Sequence, residues 1–157
     1  MHIQIKECTA DHVFATWGRV IILVWRGDTT MASVVSSTRI CKELSEKNGS
    51  KILIAIVIEP NASLPSLVVR NEIIKSWKAR HNIVERGVAI VEGDGFQTTS
   101  VRNIFSGILL FTAPRYPYKV FADPGAASKF LVGGGDSGDV PPHIMMRAIQ
   151  TVRRRKV

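Results

Sequence analysis

Three carboxylates and a pair of glycines stand where an α/β chain would place chemistry. Glu59 follows the apolar run at 51–58, and Glu92 and Asp94 follow the run at 88–91. Ligand sites of parallel sheets gather beyond the carboxyl ends of the strands, so these three are the acid/base candidates for an enzyme reading. Gly93-Asp94-Gly95 lies between a strand pattern and a helix pattern, where glycines let an anion approach the backbone. The plainer reading is a tight turn in which Asp94 caps the next helix. A dinucleotide fingerprint would need glycine where Thr98 stands, and no GK[ST] follows for a P-loop, so both nucleotide motifs fail. Glu59, Glu92, Gly93, Asp94 and Gly95 remain as a candidate ligand or anion site.

The nucleophiles are more isolated. Ser63 and Ser66, within Asn61-Ala62-Ser63-Leu64-Pro65-Ser66, precede a helical pattern, and a serine hydroxyl there satisfies a free amide of the first turn. A phosphate on either would meet the positive end of that helix and add about two negative charges to the surface. No GxSxG and no Cys-His signature occurs. Cys8 and Cys41 form no CxxC, and His2, His12, His81 and His143 show no HxxxH or HxH spacing. The expectation is a chain without catalytic residues, metal or cofactor.

The elements that must position these groups follow from periodicity. Ile3 and Ile5 alternate with polar neighbours, as in a half-buried edge strand. The runs at 13–17 and 20–25 flank Gly18-Arg19, and glycine at the first turn position suits a two-residue type II′ hairpin. Met31, Val34, Val35, Thr38, Cys41 and Leu44 recur at helical spacing, and Asn48-Gly49 supplies the stop. The runs at 20–25 and 51–58 are apolar at nearly every position, as strands covered on both faces are. A second helix presents Val69, Ile73, Ile74 and Trp77 inward, a third spans 97–110, and a short fourth runs from the Asp123-Pro124 cap through Phe130, with a last strand at 118–121. Strands alternating with helices at this spacing require a largely parallel sheet joined by right-handed crossovers. The fold class is thus α/β, with an opening hairpin and about four helices.

The chain has 157 residues, 45% of them apolar and 22% charged, with a mean hydropathy of +0.11. This size suits one domain, and no apolar run approaches the roughly 20 residues of a membrane span. Lys6, Glu7 and Asp11 interrupt any leader pattern, so a cytoplasmic protein is expected. Of the net charge of +8, a share of +3 falls in residues 132–157, where Arg147, Arg153, Arg154, Arg155 and Lys156 face only Asp136 and Asp139. Residues 132–140 are glycine-rich and read as a flexible linker that closes a domain over 1–131. Residues 141–157 then form a tethered basic helix whose arc of Ile144, Met145, Ala148, Ile149 and Val152 lies opposite Arg147 and Arg154. Such an arc would dock in a partner's groove, on a second copy of the chain or back on its own sheet, with Arg153, Arg154, Arg155 and Lys156 steering the encounter. Nucleic acid and anionic lipid are the alternative partners of this tail.

The element order over 13–131, the glycine that closes Trp25-Arg26-Gly27, the segment VAIVEGDGF at 88–96 and the segment DPGAASKFL at 123–131 together resemble the STAS domain of sulfate transporters and anti-sigma factor antagonists. The resemblance implies a small regulatory or scaffolding module that performs no chemistry and docks proteins. It also implies a phosphorylated serine at the start of the second helix, where Ser63 and Ser66 stand, although the Asp-Ser-Ser-Gly type motif is absent.

Overall fold

The computed structural model describes residues 2–133 and 140–157. Its strands form one six-stranded sheet in chain order: β1 (Gln4–Cys8), β2 (His12–Trp17), β3 (Val20–Trp25), β4 (Ile52–Ile58), β5 (Val84–Val91) and β6 (Tyr118–Phe121). The β1–β2 and β2–β3 pairings are antiparallel, and the three from β3 to β6 are parallel. Gly18 closes the β2–β3 hairpin at φ 56°, and Arg19 has negative φ, the sign pattern of the expected type II′ turn.

Helices α1 (Met31–Asn48), α2 (Leu67–Ala79) and α3 (Phe96–Thr112) are the three crossovers. Because the sheet order never reverses, right-handed crossovers must put all three on one face. There Val34, Ile40 and Leu44 of α1, Ile73 and Trp77 of α2, and Val101 and Phe105 of α3 bury Ile21, Leu23, Ile54 and Ile56. Thr30 and Ser33 form a capping box at the start of α1, and Gly49 ends it in the left-handed region.

Strands β3 and β4 are buried from end to end, so their alternate residues need a second cover. Helices α4 (Pro124–Val132) and α5 (Pro142–Arg153) supply it. Ala127, Leu131 and Val132 join Met145, Ala148, Ile149 and Val152 over Val13, Ala15, Ile22, Val24, Leu53 and Val88. This corrects the expected free C-terminal helix. Met145, Ile149 and Val152 are 0% exposed inside their own chain and have nothing left to offer a partner, Ile144 is half-buried, and Arg147 faces outward with Met146 and Thr151. The physical reason is that the apolar arc matches an apolar sheet face that α1 to α3 cannot reach. Most of the expected linker, residues 134–139, lies outside the described residues, and Val132 is a buried part of α4.

One local difference from the sequence reading concerns β5. It begins at Val84, four residues before the apolar run at 88–91, because Glu85 pairs with Arg19 on the neighbouring turn and holds the polar stretch in the sheet. Gly87 lies opposite Tyr118, and a Cβ there would stand 2.5 Å from the ring. That ring is wedged against Trp77 and Tyr116, with centroids 4.8 and 6.2 Å away. Gly87→Ala is therefore expected to cost ~1–3 kcal/mol by overpacking, read as a lower midpoint in urea. An unchanged midpoint would show that the β6 edge yields.

Candidate functional site

Chain order in the sheet brings the ends of β3, β4 and β5 side by side. Glu59 follows β4 and Glu92 follows β5, so both carboxylates rise from the crevice beyond the strand ends. The structure brings these two candidates together, but through a cation from the end of the chain. Arg153 donates from Nε to Glu59 Oε1 at 2.7 Å and from Nη2 to Glu59 Oε2 at 2.8 Å. Its Nη1 reaches Glu92 Oε1 at 2.7 Å, and Nη2 reaches Glu92 Oε2 at 3.3 Å. A planar fork that grips two carboxylates is a task for arginine.

The side chain of Arg153 is 14% exposed. Its bonds to Glu59, outweighing burial and joined by those to Glu92, raise its pKa further, so the guanidinium stays charged. Arg26, just after β3, donates to the carbonyl of Arg153 at 2.9 Å and to that of Arg155. Three strand ends thus hold the last turn of α5.

Among the described residues this arrangement commits both strand-end carboxylates to the clamp. Both carboxylates already accept from one cation, Arg153. Asp94 is exposed and does not cap α3; Gly95 takes the N-cap position without a side-chain bond. The reason is local: Gly93 turns at φ 99°, and Arg102 pins the carbonyls of Val91 and Gly93, each at 2.8 Å. Gly93, Asp94 and Gly95 are all exposed in the connection from β5 to α3, and the cap that the plainer reading gave to Asp94 is not made.

The two serines separate in role. Ser66 is the N-cap of α2 and accepts from the amide of Val69 at 3.3 Å. Ser63 donates to Asp28 Oδ1 at 2.6 Å. A phosphate on Ser66 would meet the helix N-terminus, which stabilises negative charge, whereas one on Ser63 would confront the Asp28 carboxylate. Both side chains are exposed, among Leu64, Leu67 and Val68.

A Ser36, Glu7 and His12 cluster escaped the sequence reading. Ser36 donates to Glu7 Oε1, and His12 Nε2 lies 2.9 Å from Glu7 Oε2. Burial raises the Glu7 pKa, but the bonds from Ser36 and His12 with nearby positive charge outweigh it and hold the carboxyl below its usual value. The carboxylate stands between hydroxyl and imidazole, whereas a nucleophilic triad needs the imidazole in the middle, where it can take the serine proton. The cluster ties β1 and β2 to α1. Alternation around Ile3 and Ile5 predicted the strand; nothing in the sequence linked Glu7 to residues 5 and 29 positions away.

Among the described residues no group of three or more His, Cys, Asp or Glu is placed to hold a metal ion, and no helix is long and apolar enough to cross a membrane. Arg154, Arg155 and Lys156 are exposed beyond the end of α5. Comparison with protein-family models, curated proteins and solved structures found no match.

Proposed function

We propose that this chain is a non-catalytic interaction module that docks a protein partner with the face made by the start of α2 and the outer side of α3. The observation that carries the reading is a set of large apolar side chains left in water. Phe96 is 90% exposed, Leu67 71% and Val68 64%, while Leu110 and Phe111 at the far end of α3 are 85% and 78% exposed. Phe96, Asn103, Gly107 and Leu110 fall within one stripe at 100° per residue, and Gln97 bonds to the carbonyl of Ala62, tying the start of α3 to the loop before α2. Exposed apolar side chains at the starts of α2 and α3, held near one another by that bond, support a contact surface at this end of the face.

The resemblance to STAS domains supports the same reading, since those modules dock proteins and are switched by a serine at this helix start. The structure-based preference within it is Ser66, whose phosphate would sit beside Leu67 and Val68 without an opposing carboxylate. The exposed cations Arg154, Arg155 and Lys156 would steer an acidic partner.

Affinity capture with the full chain tests the reading. Leu67→Asp and Phe96→Ser, both on exposed positions and so expected to fold, should lose the same bound protein, and Ser66→Asp should weaken it more than Ser63→Asp. Identical capture by all four variants and the parent would overturn the proposal. A complex that instead falls steeply with salt and contains nucleic acid would place binding on the cations, because phosphate contacts release counterions.

A further inference from the structure

Between the sheet and α1, α2 and α3 runs a slot whose walls are mostly apolar and whose one charged lining residue has no counterion among the described residues. It encloses about 590 Å³ of space between atoms, including its open mouth, of which about 40 Å³ is clear enough for water. Thr29, Ser63 and Pro65 stand at the end near the strand termini; Trp25, Trp77 and Phe105 are among the walls. Arg80, which caps the far end of α2, also lines the slot. The slot therefore runs along α2, which at 1.5 Å per residue is about 20 Å long.

Arg80 is 3% exposed. Its Nη2 donates to Ser37 Oγ at 3.0 Å, while its Nε is buried without any partner. No ion pair involves it among the described residues. The polar groups that feel its charge are Cys41 and the Tyr116 and Tyr118 phenols. Burial pushes the Cys41 thiol up and the Tyr116 phenol up to about 12, so both are neutral near pH 7. A buried guanidinium without an anion is strongly disfavoured, and its Nε and Nη2 edge is the edge that grips a carboxylate with two parallel bonds.

We propose that this slot binds a slender, mostly aliphatic carboxylate, with the head group on Arg80 and the chain along the apolar walls. The narrow bore favours a single chain over a fused ring system. Trp25 and Trp77 in the walls give the site its own reporter.

The test titrates the full-length protein with octanoate and with 1-octanol while following tryptophan emission. Octanoate is expected to give a saturable change with at least tenfold higher affinity than the alcohol, and Arg80→Met to remove that advantage while the alcohol binds as before. Circular dichroism confirms that the variant is folded. If Arg80→Met does not fold, Arg80→Lys takes its place: keeping the charge but losing the fork, it should bind octanoate several-fold more weakly. Equal affinity for acid and alcohol in the parent chain, or no saturable change with octanoate, would overturn the proposal and leave Arg80 solvated by internal water alone.

Discussion

A chain cut after residue 140 is expected not to fold. Removing α5 strips Met145, Ala148, Ile149 and Val152 from Val13, Ala15, Ile22 and Val24, a core that is 0–4% exposed in the intact protein. Each large buried side chain is worth ~1.5–3 kcal/mol of transfer free energy, and the three on α5 alone come to roughly 5–9 kcal/mol. A domain of this size has about 5–15 kcal/mol of net stability in all. The sheet face laid bare would add its own exposed surface to the loss. Truncated protein should therefore lack a cooperative melting transition and should aggregate. A single substitution makes the same point with the tail intact: Ile149→Asp places an unpaired charge in a dry contact and is expected to cost about 4 kcal/mol or more. A truncated chain that melts within a few degrees of the parent would show that α4 alone covers the second face.

The sequence contained half of the argument that places this helix. Strands β3 and β4, Val20–Trp25 and Ile52–Ile58, are apolar at every position, which requires cover on both faces. What periodicity leaves open is the order of strands in the sheet. With an order that reverses direction, α1 to α3 would divide between the faces and fill both, and a helix beyond a glycine-rich segment would be left over. With the observed order the crossovers all fall on one side, and α5 becomes core. Strand order depends on contacts between distant segments, and local pattern does not encode it.

The same distance hid the site. Glu59 and Glu92 were legible as strand-end carboxylates, but their shared cation lies 94 and 61 positions away. A signal was present: Arg153 stands four residues after Ile149 and eight after Met145, so it continues the buried arc, whereas Arg147 and Arg154 lie opposite. Reading residues 153–156 as one solvated cationic block concealed that phase. Turn and cap chemistry, by contrast, was readable because it is local, as Gly18, Gly49, Ser66 and Asp123 show.

Arg153→Met should cost ~2–4 kcal/mol, most of it through the carboxylates left behind. The methionine keeps much of the stem packing, so the loss measures charge. Breaking a buried pair by removing one partner costs ~3–5 kcal/mol, and the lower range applies because Glu59 and Glu92 are 20% and 34% exposed and recover part of their hydration. Without the guanidinium between them, two anions face each other at neighbouring strand ends, and each disfavours the other. Two outcomes then distinguish charge from packing. Adding Glu59→Gln and Glu92→Gln to Arg153→Met should restore most of the lost urea midpoint, since the uncompensated charges are gone. In the parent chain the pair of glutamines alone should destabilise, because they leave Arg153 held in the crevice without an anion. If the triple variant is no more stable than Arg153→Met, the clamp contributes through shape alone. α5 would then be held by its apolar face and by the Arg26 bonds to the carbonyls of Arg153 and Arg155.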